Sequence, residues 1–497
     1  MACAVVLPPL LLFFVVLSGS TALTEQHAAG VDDINYSVVL TSSWLNPKAV
    51  CSRLMGPHPN VTSWLPLSRT YGPCWSSANS GSSNTAPPPS AADILRSDQQ
   101  RGDHIQWTLS LSLSLSASAY EDQRRRSNVT GSQSTAFPNQ ASSFNFGKNE
   151  TTGMMIEPAA IGGGVDRRQL PGVVQTLVLD TASDVAWLQC APCPVPPCHP
   201  QTDVLYDPTK SSESAAFSCN SPTCAQLGPY ANGCINNQCQ YRVQYPDGTS
   251  TAGNYVSDLL TLTATASVSA FKFGCSHAVQ GRFSSSTAGI MALGGGPESL
   301  VSQTATTYGR VFSHCFPPPT RVGFFILGVP RVAAWRYVLT PMLNIPALPP
   351  TFYMVRLQAI TVAGQQLAVP PTVFSAGAVL DTRTAITRLP PTAYQALRQA
   401  FRDRMTMYRP VAPKGMLDTC YDLTGVESFA LPRITLVFDG NAAVELDPSG
   451  ILYEDCLAFA ASANDQVPGI IGNVQMQTIE VLYNIPAGLV GFRHAAC

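Results

Sequence analysis

Leu177-Val178-Leu179-Asp180-Thr181-Ala182-Ser183 is an apolar run that ends on a carboxylate and two hydroxyls. The pattern returns about 200 residues later as Ala378-Val379-Leu380-Asp381-Thr382-Arg383-Thr384. For either Asp-Thr pair alone, a strand-end carboxylate capping a turn is the simpler reading. Two copies in the same order predict two lobes that meet at a shared pair of aspartates. In such a pair, a water can be activated between carboxylates that share one proton.

The halves correspond beyond the aspartates. Gly289-Ile290-Met291-Ala292-Leu293-Gly294 follows the first copy and Gly469-Ile470-Ile471-Gly472 follows the second. An apolar pair flanked by small residues can pass close beside another strand. Short β-like runs bounded by Gly, Pro and Asp fill the rest, among them Gln175 to Leu179, Gln240 to Tyr245, Asp258 to Leu262, Phe352 to Val362, Ile434 to Phe438 and Ile479 to Tyr483. Thr392 to Met405 is the clearest helix, opening after Pro390-Pro391 with Ala396-Leu397 and Ala400-Phe401 on one face. Many strands and few helices in two halves predict an all-β, bilobal body with a central cleft. The expected divisions are 1–22, 23–150, 151–332 and 333–497.

Composition narrows the function. The 497-residue chain has a formal net charge of −2 and 12% charged residues, so no basic stripe is available for nucleic acid. The apolar run Val5 to Leu17, followed by Ser18-Gly19-Ser20, reads as a signal peptide ending near Ala22, and is too short to span a bilayer. Four sequons, beginning at Asn35, Asn60, Asn128 and Asn149, fit export, as do the 15 cysteines. Twelve cysteines lie between Cys190 and Cys497, an even set that predicts a disulfide framework. Cys190, Cys193, Cys198 and His199 mimic a metal cluster, but Pro194, Pro196 and Pro197 interrupt it, so disulfides are preferred and no metal or cofactor is expected.

Residues 23–150 differ in texture. They are rich in Ser, Asn and Pro, and read as a pro-segment removable near residues 130–165. Ala91 to Asp98 has a helical pattern. The alternating Leu109 to Ser116 reads as low-complexity sequence, or as a half-buried strand.

From about residue 175 the chain resembles the pepsin-like aspartic proteases, in their cysteine-rich plant nepenthesin-type branch. The resemblance rests on Asp180-Thr181-Ala182-Ser183-Asp184 with Trp187-Leu188-Gln189-Cys190, and on the Cys198 to Cys239 insertion. It continues through Phe273-Gly274-Cys275, Phe312-Ser313-His314-Cys315, Leu417-Asp418-Thr419-Cys420-Tyr421 and Val490-Gly491-Phe492. It implies that Asp180 and Asp381 are the catalytic pair and that Thr181 and Thr382 bond across the lobes beneath them. Ser183 and Thr384 would donate to the outer carboxylate oxygens, and Tyr245 would sit in the flap over substrate. Six disulfides are implied, with Cys420–Cys456 and Cys315–Cys497 the assignable pairs.

Three residues depart from the family's glycines: Ala182, Arg383 and Pro246. Arg383 either points into the cleft, where it favours ionised carboxylates, or outward. Arg388 reads as a lobe-surface charge. The implied function is an acid-acting, secreted aspartic endopeptidase made as a zymogen. It would act as a monomer on extended polypeptide, in the apoplast, cell wall or vacuole, without nucleic acid or membrane insertion. The alternative is a catalytically silent binding protein of the same fold, for example an inhibitor of cell-wall-degrading glycosidases.

Overall fold

A computed structural model describes residues 35–40, 64–69, 90–114, 140–146 and 172–497, with short breaks at 246–247, 264–265, 282, 284–286 and 319–322. The expected leader, Cys51, Cys74, Pro246 and the sequons beginning at Asn60, Asn128 and Asn149 lie outside the described residues.

Each aspartate ends a strand buried on both faces: Val173–Asp180 in the first lobe and Ala378–Leu380, immediately before Asp381, in the second. The glycine-flanked runs are their parallel partners. Ala292 stands opposite Asp180 in one lobe, and Ile471 opposite Leu380 in the other. Both partners also meet a third strand in antiparallel fashion, Trp187–Gln189 in the first lobe and Thr387–Leu389 in the second. Glycine is required at these crossings. A Cβ on Gly289 would lie 2.0 Å from Trp187 O, and one on Gly472 2.4 Å from Ala385 O.

A large sheet joins the halves. Its order runs Val338–Pro341, Leu489–Arg493, Glu480–Asn484, Val311–Cys315, Gly323–Leu327, Trp64–Arg69, Gln140–Phe146 and Val173–Asp180 before entering the first lobe. The second lobe adds a five-stranded sheet around Asp381 and two four-stranded sheets. The architecture is all-β and bilobal; helix Pro391–Arg404 buries Leu397 and Phe401 of the expected face together with Ala393 and Tyr394, while Ala396 and Ala400 are half-buried.

All twelve body cysteines are paired: Cys190–Cys275, Cys193–Cys198, Cys219–Cys234, Cys224–Cys239, Cys315–Cys497 and Cys420–Cys456. The residues that mimic a metal cluster are therefore consumed in disulfides, and His199 instead places Nε2 2.9 Å from Thr287 O.

The region before residue 150 is more integrated than its composition suggests. Tyr36–Leu40 pairs antiparallel with Ser428–Pro432, and Trp64–Arg69 and Gln140–Phe146 are strands of the large sheet. Between them runs a 24-residue helix, Ala91–Ser114. Ser90 caps it, its hydroxyl accepting from Asp93 N at 3.2 Å and donating to Asp93 Oδ2 at 2.7 Å. Leu109 to Ser114 therefore belongs to a helix and not to a strand. In this helix, hydroxyls can be satisfied from within: Ser110 donates to Gln106 O at 2.7 Å and Ser112 to Thr108 O at 2.8 Å.

Candidate active site

The two Asp-Thr motifs bring their carboxylates together by a reciprocal bond network. Thr181 N donates to Thr382 Oγ1, and Thr382 N to Thr181 Oγ1, each at 3.1 Å. Each threonine hydroxyl then donates to the strand carbonyl before the opposite aspartate, Leu380 O and Leu179 O, at 2.9 Å. Asp180 and Asp381 are fully buried between the lobes. The turn after Ser183 is pinned by Asp184, which accepts from Gly296 N at 2.9 Å and Thr351 Oγ1 at 2.6 Å.

The outer oxygens are bonded differently in the two lobes. Asp381 Oδ2 accepts from Thr384 Oγ1 at 2.5 Å and from its amide at 3.1 Å, the arrangement its motif implies. Asp180 Oδ1 accepts from Ala182 N at 2.9 Å, but its Oδ2 is taken by Arg383 Nη1 at 3.1 Å. The Ser183 hydroxyl interacts with Tyr245. Arg383 thus points inward, where it is buried and lies 4.9 Å beneath the Tyr245 ring. Tyr245 ends the strand Gln238–Gln244 at the turn into Ser250–Thr263, and its hydroxyl accepts from Trp187 Nε1 at 2.6 Å. Tyr245 thus stands at a hairpin turn with Arg383 beneath its ring.

A second guanidinium completes the site, and it comes from the N-terminal helix. Arg101 Nε donates to Asp381 Oδ2 at 2.7 Å, while Nη2 reaches Asp381 Oδ1 at 2.7 Å and Asp180 Oδ1 at 3.0 Å. Two buried arginines therefore face two buried aspartates. Burial alone would push Asp381 up. The charge and hydrogen bonds of Arg101, with those of Thr384 and the Arg383 amide, outweigh it and hold the carboxyl below its ordinary value.

The rest of the helix binds the second lobe on either side of Arg101. Leu95 packs with Ala385, Ile386, Leu417 and Ala460, and Ile105 and Leu109 pack with Met354, Val379 and Ile470. Asp98 accepts from Ala385 N at 2.5 Å, Ile386 N at 3.3 Å and Arg388 Nη2 at 3.2 Å. Gln106 Nε2 donates to Ser462 Oγ at 2.6 Å and Pro468 O at 2.9 Å. Gly102 permits the close approach, since a Cβ there would lie 3.2 Å from Arg388 Nη2.

Arg388 is thus a buried residue of the site and not a surface charge, because its guanidinium is covered by the helix. Arg101 and Asp98 are the functional residues that motif reading misses. The available signal is their position on the helix face of Leu95, Ile105 and Leu109, where charged residues are rarely buried without partners.

The paired glycine-flanked strands, the reciprocal threonines and the two facing carboxylates define the bilobal, pepsin-like class of aspartic protease folds. The family description "Xylanase inhibitor N-terminal" matches residues 168–329, and "Xylanase inhibitor C-terminal" matches residues 352–494. An aspartyl protease family protein of Arabidopsis thaliana is 35% identical over 469 residues, covering 92% of both chains. Aspartic proteinase nepenthesin-2 of Nepenthes gracilis is 32% identical over 64% of this chain and 74% of its own. Among solved structures, soybean basic 7S globulin superposes with TM-score 0.54 at 19% identity, over 72% of this chain and 91% of that one. The chain belongs to the plant aspartyl protease family, of nepenthesin type.

Proposed function

We propose that this chain is the latent form of an acid-acting aspartic endopeptidase, silenced by its own helix Ala91–Ser114. The observation that carries the reading is Arg101, whose guanidinium bridges Asp180 and Asp381 where a substrate carbonyl and the attacking water must sit.

Once the helix leaves, one carboxylate takes a proton from water as the water oxygen attacks the scissile carbonyl carbon. The carboxyl that holds the shared proton gives it to the carbonyl oxygen. Collapse of the tetrahedral species then breaks the C–N bond, with the proton delivered to the leaving amine. The reciprocal threonines keep the carboxylates in place, and the Tyr245 hairpin closes over an extended peptide.

Acid is the natural trigger. Asp381 is depressed while Arg101 is docked, so its contribution to docking is present above the ordinary carboxylate range and lost as pH falls through the depressed value. Asp98 works in the other sense. Burial raises it despite Arg388, so the docked form takes up that proton sooner, and the expelling force arises at the dyad.

The leader-like start, the sequons and the six disulfides support export to an oxidising compartment. Among the described residues no helix is long and apolar enough to cross a membrane. Peptide hydrolysis by the acid-treated full-length protein, with a pepstatin-like inhibitor and Asp381→Asn as controls, tests the proposal. Hydrolysis lost in both controls is expected, and equal hydrolysis by Asp381→Asn would exclude the dyad.

One observation favours a second reading. Arg383 pairs with Asp180 at 3.1 Å and belongs to the second lobe, so its charge is not removed with the helix, and a cation beside the dyad disfavours the shared-proton state. With a family description that names xylanase inhibitors, this supports a silent binding protein. An acid-treated protein that cleaves nothing yet binds a glycoside hydrolase would establish that reading.

A further inference from the structure

Arg388 has an arrangement that latency alone does not require. Nη1 donates to Gln99 Oε1 at 2.9 Å, and Nη2 to Asp98 Oδ2 at 3.2 Å, both on the helix. Its buried Nε has no hydrogen-bond partner. Among the described residues, every hydrogen bond of this guanidinium therefore goes to the element that must leave for a substrate to enter. Beside it, the amides of Ala385 and Ile386 converge on the same Asp98 carboxylate. A guanidinium and two backbone N–H groups around one carboxylate form a built anion cradle: each favours the ionised form, and it is the full burial of Asp98 under its own helix that raises it.

We propose that this cradle, made by Arg388 with the amides of Ala385 and Ile386, is a substrate subsite that selects peptides carrying an aspartate or glutamate side chain near the scissile bond. The proposal rests on the peptidase reading and specifies its substrate class. In the latent form, Asp98 holds the place of the substrate's acidic side chain, much as Arg101 blocks the reacting atoms.

Spacing places the acidic residue. Asp98 precedes Arg101 by three residues, about 4.5 Å of rise along a helix. An extended peptide advances about 3.3 Å per residue, so the preferred carboxylate falls within about three residues of the scissile bond. It lies on the Ala385–Ile386 side of the dyad. On the far side of Arg101 along the helix, Ile105 and Leu109 pack on Met354, Val379 and Ile470, the last of which is the strand partner of Arg388. The charged body groups that act on this position are Arg388 and, in the opposite sense, Asp381.

The test uses the acid-processed full chain and pairs of peptides that differ only by Glu or Gln at one position near the cleavage site. At about pH 5.5, above the ordinary glutamate value of about 4.3, the Glu peptide should be cleaved about tenfold better in kcat/KM, mainly through KM. The preference should fade at about pH 3.5, where the side chain is protonated. Arg388→Gln should bring the Glu-to-Gln ratio of kcat/KM to about one, and an unchanged circular-dichroism spectrum and thermal midpoint show that the variant is folded. Arg388→Lys should retain part of it.

A ratio near one in the parent at about pH 5.5, with both peptides cleaved, overturns the subsite and leaves the peptidase reading standing. A full preference kept by Arg388→Gln overturns the assignment to Arg388. If neither peptide is cleaved, the peptidase reading fails, and binding of the same labelled pair by anisotropy decides the cradle. Tighter Glu binding that depends on Arg388 supports it, and equal binding overturns it.

Discussion

At the scale of single residues, the site is governed by which cations stand against Asp180 and Asp381. Arg383 sits 3.1 Å from Asp180 and under the Tyr245 ring, and it belongs to the body, so it remains after any processing. Replacing it with glycine removes a charge that favours full ionisation. Arg383→Gly should therefore raise kcat by about tenfold and move the high-pH limb of the rate profile upward, since general acid–base pairs work best when correctly protonated near the operating pH. The pH–rate profile of the processed variant checks this. An unchanged profile would show that the dyad tolerates the inward guanidinium. The aspartates and their threonines were legible in the sequence because a repeated strand-end motif has one economical explanation. Arg383 could be seen as a departure, but its direction depends on the flap packing above it, which no local pattern encodes.

Among elements, the helix Ala91–Ser114 decides the state of the site. Leu95, Ile105 and Leu109 supply apolar contacts on both sides of Arg101, so its docking is a packing event as well as an ionic one. Leu109 is fully buried, and Leu109→Ala should weaken docking by about 2–4 kcal/mol through lost burial and the cavity left behind. Amide exchange across residues 91–114 should accelerate accordingly, with the second-lobe sheet unaffected. Exchange unchanged in the helix would mean that the ionic contacts alone hold it. The helix was only half legible. Ala91 to Asp98 has the pattern, whereas the alternating Leu109 to Ser114 mimics a strand because period-two alternation and helical periodicity overlap over so few residues. Packing of Ile105 and Leu109 on the second lobe settles the matter, and the serine hydroxyls are satisfied by bonding one turn back. Arg388 was misjudged for a related reason. The element that buries it lies almost 300 residues away in sequence.

For the whole molecule, the blocking helix is flanked by strands that belong to the body: Trp64–Arg69 before it and Gln140–Phe146 after it. Freeing the dyad therefore needs the helix to detach, while the strands Trp64–Arg69 and Gln140–Phe146 can stay in the sheet. The bilobal plan was legible because both lobes repeat the same strand order around glycine crossings that tolerate no side chain. The ordered strands ahead of residue 150 were not, since they are short and are stabilised by partners far along the chain. The central claim is that Arg101 holds a competent dyad silent, and full-length Arg101→Met tests it most directly. Removing one partner of a buried ionic cluster costs about 3–5 kcal/mol, so the helix should be displaced without acid. At a mildly acidic pH where the parent is inert, the variant should hydrolyse peptide in a pepstatin-sensitive manner, and Arg101→Met with Asp381→Asn should be inert. Silence of Arg101→Met there, and again after full acid treatment, would contradict the account.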